Sequence, residues 1–272
     1  MSRIKEVFAD LKREGLRGLI PFITAGDPDL ETTHGLLIEL ARAGASLIEL
    51  GVPFSDPVAD GPVIQRASER ALKHGFGLRE IFDLVGQARL EMDVPLVLFS
   101  YFNPLLQYGL ERLSRDASGA GIDGILVTDL VPEEAVEFSA RLRAHKLDMI
   151  FLVAPTSTDV RLGMVAERAT GFIYAVSRAG VTGARREMSR DAEILVGRVR
   201  NFSDLPVAVG FGISNHEQVA DVWRYADAAV VGSALVAEIE RLADASDIVE
   251  RVGEFTRGLI PSSKHQRNAS VE

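Results

Sequence analysis

Eight short apolar runs recur along the chain, at 18–24, 46–52, 96–101, 124–129, 149–154, 172–177, 206–210 and 228–232. Nearly all are continuously apolar and do not alternate with polar residues, the pattern of strands buried on both faces of a parallel sheet. Between them lie stretches of helical periodicity such as LETTHGLLIELARAG, PEEAVEFSARLRAH, STDVRLGMVAERA and SNHEQVADVWRYA. Each opens on an Asp, Ser or Pro-Glu signal suited to a helix start. Strand followed by helix, eight times over, predicts an α/β fold closed as a (β/α)8 TIM barrel. Residues 61–92 hold two helical patterns, so an extra helix is expected between strands 2 and 3. The amino-terminal MSRIKEVFADLKREG has the spacing of an amphipathic, charged helix.

The competing architecture is an open doubly wound sheet, which would carry a G-x-G-x-x-G turn after its first strand; this chain has TAGDPD there. Its 272 residues suit the roughly 250 of one barrel, and no Pro- or Gly-rich linker divides them. One catalytic barrel domain is expected over 1–261, followed by a polar, disordered tail over 262–272.

Composition removes several function classes. Lys and Arg total 30 against 39 Asp and Glu, a formal charge of −9 that argues against a nucleic-acid partner. With no cysteine there is no disulfide framework, no thiolate nucleophile and no Cys-ligated metal, which fits a cytoplasmic setting. No apolar run approaches the ~18 residues of a membrane span, so a soluble protein is expected.

Catalytic groups of this fold project from the carboxyl ends of the strands. Strand 2 ends in IELGVPFSDPVADGP, where Glu49 shares its face with Leu47 and Gly51 and points into the barrel. A carboxylate there is costly when ionised, so its pKa rises and it becomes a candidate general acid. The other reading is a buried Glu paired with an Arg for structure. Asp60 lies in a loop stiffened by Pro53, Pro57 and Pro62, and reads equally as a site carboxylate or as an N-cap before Pro62. Asp56 reads as a turn residue. The fragments GFGIS at 210–214 and VVGSA at 230–234 close strands 7 and 8, where barrels often bind phosphate, although ordinary turn glycines give the same pattern.

The loop SRAGVTGARRE could close over a ligand, and its Arg178, Arg185 and Arg186 read either as phosphate contacts or as solvated charge. Phe22, Phe99, Tyr101, Tyr174 and Phe211 sit near strand ends, as pocket walls or as core. Trp223 reads as outer packing and His216 as an exposed helix-start residue. Lys5, Lys12, Lys73, Lys146 and Lys264 all fall away from the strands' carboxyl ends, which argues against a Schiff-base aldolase. The histidines lack a metal-binding spacing, and no G-x-x-x-x-G-K loop is present. Metal-free acid–base work on a phosphorylated small molecule is what remains.

The strings PFITAGDPD, IELGVPFSDPVADGPVIQRA, IYAVSRAGVTG, VGFGIS and VVGSAL closely resemble the tryptophan synthase alpha subunit family, in order from about Gly18 to about Leu235. That resemblance implies a lyase of tryptophan biosynthesis that cleaves indole-3-glycerol phosphate to indole and glyceraldehyde 3-phosphate, a retro-aldol step without metal or Schiff base. It implies that Glu49 protonates indole C3 and then takes the glycerol hydroxyl proton, and that Asp60 meets the indole N–H and stabilises the cation. By the same resemblance Tyr174 supports both, and Phe22, Tyr101, Asp129, Thr182 and Phe211 surround the substrate. Gly183, Gly212, Ile213, Gly232 and Ser233 would hold the phosphate, while Arg178 and Thr182 ride on the closing loop, with Thr182 reaching Asp60. The resemblance further implies no cofactor on this chain and a beta-subunit partner that carries pyridoxal phosphate, in an α2β2 heterotetramer. The loops bearing Pro53, Asp56, Asn103 and Pro132 would make that contact.

Three rival functions make distinct demands. An isomerase of this fold would place a second acid on strand 5, which ends in LVAPTS, and an indole-glycerol phosphate synthase would need a strand-end lysine. A catalytically silent activator would not need Glu49 and Asp60 together, and both are present.

Overall fold

A computed structural model describes residues 2–176, 185–210 and 212–261. The tail expected over 262–272, most of the loop after strand 6, and Phe211 lie outside these residues. The strands are β1 (Gly18–Thr24), β2 (Ile48–Gly51), β3 (Leu96–Ser100), β4 (Gly124–Val127), β5 (Asp148–Val153), β6 (Ile173–Val176), β7 (Val207–Gly210) and β8 (Ala228–Val231). They are parallel, pair in chain order and close with β8 on β1. Each lies in or within a residue of the apolar run that predicts it, because the run supplies apolar side chains to both faces of the wall.

Inward-facing Ile20, Leu47, Val97, Leu126, Ile150, Tyr174, Ala208 and Val230 fill the barrel. Its floor is closed by the amino-terminal helix α1 (Arg3–Glu14), whose Ile4 and Phe8 are buried, with Phe8 5.7 Å from Phe172 between ring centroids. That helix starts on the Ser2 hydroxyl, which accepts from the Lys5 N–H, and stops at Gly15, whose φ of 68° favours glycine. Outward-facing strand residues make a second, larger core under the helices.

Helix α2 (Leu30–Arg42) starts where Asp29 accepts the Thr32 N–H at 2.7 Å. The two helices expected between β2 and β3 are α3 (Pro62–Leu72) and α4 (Leu78–Ala88). Further helices that the sequence reading does not predict follow two other strands: β3 is followed by both α5 (Phe102–Tyr108) and α6 (Leu110–Ala120), and β8 by α11 (Ser233–Arg241) and α12 (Ile248–Leu259). In α5 the Asn-Pro pair looks like a breaker, yet Pro104 falls in the first turn, where a missing N–H costs nothing. The remaining helices are α7 (Val136–Ala144), α8 (Asp159–Arg168), α9 (Arg185–Arg200) and α10 (His216–Trp223). Helix α7 begins later than its Pro-Glu signal suggests, because residues 132–134 form a turn. Trp223 is buried and its indole N–H donates to the Gly18 carbonyl at 2.8 Å, pinning α10 to the start of β1. Among the described residues no helix is long and apolar enough to cross a membrane.

Candidate active site

The strand register sets Glu49 beside Phe22 of β1 and Val97 of β3, in the interior layer of the barrel. Glu49 is fully buried, and among the described residues neither carboxyl oxygen has a hydrogen-bond partner. The Arg-paired reading therefore fails. Burial without compensation pushes its pKa to about 8, so at neutral pH the group is mostly a neutral acid. Tyr174 of β6 is buried in the same interior, and burial first, then the nearby Glu49, raises its phenol well above the ordinary value.

Asp60 does not cap α3. The N-cap is Gly61, with no side-chain cap bond and Pro62 at the first turn. The Asp60 carboxyl instead accepts a hydrogen bond from Tyr101, while burial lifts its pKa to about 6 against the lowering effect of that bond. Tyr101 in turn accepts the Ala59 N–H at 2.9 Å and leans on Phe54 with ring centroids 5.1 Å apart. Gln65 donates to the Asp60 carbonyl at 2.9 Å. This loop is thus fixed by its own backbone and by one tyrosine from the end of β3. The two carboxyls differ in a useful way: near pH 7 Glu49 holds a proton and Asp60 is mostly ionised.

Phe22 meets Phe99 edge-on at 5.2 Å and covers Gly51, where a Cβ would stand 2.6 Å from the ring tip. Its other flank lies 3.7 Å from the Cβ position of Gly232. The aromatic wall so joins the Glu49 strand to the start of α11. Gly232 is the N-cap of α11 and supplies no side-chain cap, and Ser233 is exposed at the first helical position, so the leading amides of this helix are uncommitted. Gly212 has a φ of 59°, and Ile213 beside it is buried. Asp129 sits at the mouth and is exposed, its carboxylate accepting the Phe102 N–H at 2.7 Å and capping α5. Thr182, Gly183, Arg178 and Phe211 lie outside the described residues.

Gly210 packs tightly against Tyr174: a Cβ there would collide with the phenol hydroxyl and stand 2.7 Å from Cζ. Gly210→Ala is expected to displace the ring, destabilise the barrel by about 1–3 kcal/mol and slow turnover. Adding Tyr174→Leu should recover much of the lost stability in a thermal melt. Additive losses in the double variant would show that the clash is relieved elsewhere.

The closed barrel and the two carboxyls at its carboxyl-terminal mouth define the class of protein, a (β/α)8-barrel enzyme equipped for acid–base chemistry. The chain belongs to the tryptophan synthase alpha chain family, whose model matches residues 8–262. Members of this family are lyase subunits that cleave indole-3-glycerol phosphate in tryptophan biosynthesis. A tryptophan synthase alpha chain of Solibacter usitatus is 51% identical over 259 residues, 95% of this chain and 97% of that one. Among solved structures, tryptophan synthase subunit alpha from Legionella pneumophila superposes with a TM-score of 0.90 at 37% identity, covering 98% of this chain and 99% of that one. A chain of the tryptophan synthase a2b2 complex from Pyrococcus furiosus superposes at 0.83 with 42% identity, over 89% and 97% of the two chains.

Proposed function

We propose that Glu49 and Asp60 carry the retro-aldol cleavage of indole-3-glycerol phosphate on this chain, within one catalytic domain over 1–261. The neutral Glu49 carboxyl gives its proton to indole C3, and the positive charge that develops on the ring is met by the Asp60 carboxylate at the indole N–H. Glu49, now ionised, takes the proton of the glycerol hydroxyl next to the breaking bond. The carbon–carbon bond breaks, its electron pair returns to the ring, and indole and glyceraldehyde 3-phosphate leave with Glu49 protonated again. Tyr174 supports Glu49, while Phe22 and Tyr101 flank the ring and Asp129 stands at the mouth. Gly212, Ile213, Gly232 and Ser233, with Gly183, take the phosphate on backbone amides and one hydroxyl. The family resemblance assigns Thr182, Arg178 and Phe211, which lie outside the described residues, to the same substrate site. The observation that carries this reading is the buried Glu49, without a hydrogen-bond partner among the described residues, whose pKa of about 8 keeps a proton available at neutral pH.

The partner in this reading is the tryptophan synthase beta chain, which holds the pyridoxal phosphate, in an α2β2 assembly like that of the Pyrococcus furiosus protein. Val58 and Val131 in loops, Leu106 on α5 and Val136 at the start of α7 are large apolar residues left exposed, each within a few residues in the chain of Pro53, Asp56, Asn103 or Pro132. Covering them with a partner removes apolar surface from water where indole would leave. The cysteine-free composition fits a cytoplasmic setting.

The test is indole release from indole-3-glycerol phosphate by the purified chain, alone and with the beta chain, across pH. The rate should rise through the Asp60 pKa of about 6 as that carboxylate forms, and fall through the Glu49 pKa of about 8 as its proton is lost. A kcat/KM bell with those limbs, and stimulation by the beta chain, is the expected result. No indole under any condition, or a rate that climbs through pH 8, overturns the assignment.

A further inference from the structure

The proposed substrate is gripped at two ends by different elements: Asp60 stands two residues before α3, and the phosphate cradle ends on Gly232 and Ser233 at the start of α11. These two helices are bolted together one to three turns further along. On α3, Arg66 forms a two-pronged pair with Glu240 of α11, at 2.7 Å on each prong. One turn on, Arg70 reaches the same Glu240 at 2.6 Å and holds Asp27 with a second two-pronged pair at 2.7 and 2.9 Å.

Asp27 is 1% exposed and lies in the loop after β1, three residues past Thr24. The same loop is held by the turn after α3, where His74 meets the Pro28 carbonyl at 2.6 Å and the Phe76 ring occupies the space a Cβ on Gly26 would need. Inside this clamp, Phe22 packs on Ala67 of α3 and Val236 of α11. Isolated surface ion pairs contribute little, but a connected set of two-pronged guanidinium–carboxylate pairs with one buried member fixes distance and orientation.

We propose that Arg66, Arg70, Glu240 and Asp27 are positioning residues for the cleavage reaction: they set the span between the Asp60 loop and the phosphate cradle, so that a substrate anchored at both ends presents its breaking bond to Glu49. This inference rests on the assignment of those two ends made above. A helix shift that leaves each half-site intact misplaces only a ligand that reaches both. A misplacement of about 1 Å can cost about a hundredfold in rate.

The experiment compares the joined substrate with its halves. For Glu240→Gln in the full chain, with and without the beta chain, glycerol 3-phosphate and indole should bind as they do to the parent. The kcat/KM for indole-3-glycerol phosphate should fall between about ten- and a hundredfold, with the loss in kcat. Arg66→Met, which keeps the Arg70–Asp27 pair, is read in the same way and serves if the first variant does not fold. Unchanged kcat/KM in the variant that folds overturns the inference. Parallel loss of both half-ligands and of thermal stability also overturns it, reducing the network to a purely structural role. If Glu49→Gln and Asp60→Asn both retain full activity, the failure belongs instead to the assignment of the site.

Discussion

Glu49→Gln is expected to lower indole release by at least about 10²- to 10⁴-fold, because the amide keeps the volume of the side chain and removes its transferable proton. The fold should survive, since among the described residues neither Glu49 oxygen has a hydrogen-bond partner to lose. Stability offers a second readout with a definite sign. The folded-state pKa of about 8 stands above the ordinary carboxyl value of 4.5, so the folded protein binds the proton more tightly than the unfolded chain. The contribution of this group is therefore fully present below about pH 4.5 and is lost as pH rises through about 8. The Gln side chain does not titrate. Measured against the parent by denaturant unfolding, the variant should gain relative stability across that window at up to roughly 1.4 kcal/mol per pH unit. Equal pH dependence in the two proteins would show that Glu49 is not buried as an unpaired acid, and undiminished turnover would remove it from the chemistry.

Asp60→Asn is the second large effect. The charge that Asp60 meets exists only along the reaction path, so its loss should appear in kcat, by about 10²- to 10³-fold, and little in KM. The amide oxygen can still accept from Tyr101, which preserves the loop. The pH profile separates this residue from Glu49: the limb near pH 6 should vanish in Asp60→Asn while the limb near pH 8 remains. Persistence of the lower limb would assign it to another group.

The Glu49 prediction was legible in the chain because it needs only the alternation of β2, where Leu47, Glu49 and Gly51 share a face. Asp60 was not separable from an N-cap on the same grounds. A carboxylate just before a Pro-led helix fits either role, and only the position of Tyr101, 41 residues away and on another strand end, decides it. The extra helix after β3 is not legible for a local reason, since a short helix opening on Asn-Pro and broken at Gly109 carries too little periodicity to register. Arg70 and Glu240 gave no signal at all, as two ordinary charges 170 residues apart on amphipathic helices.

What the sequence by itself determined was the barrel, through eight buried runs of strand length, the inward Glu49, the glycine-bearing turns of the last two units and the family, through motifs long enough to be specific. Tertiary structure alone decided that Glu49 has no hydrogen-bond partner among the described residues, that Tyr101 holds Asp60, that α1 plugs the floor and that an ionic network joins α3 to α11. The division has a physical cause. Periodicity and local propensity act between near neighbours in the chain and write themselves into it, whereas desolvation and ion pairing depend on what the fold brings from far away, and a raised pKa is a property of that surrounding space.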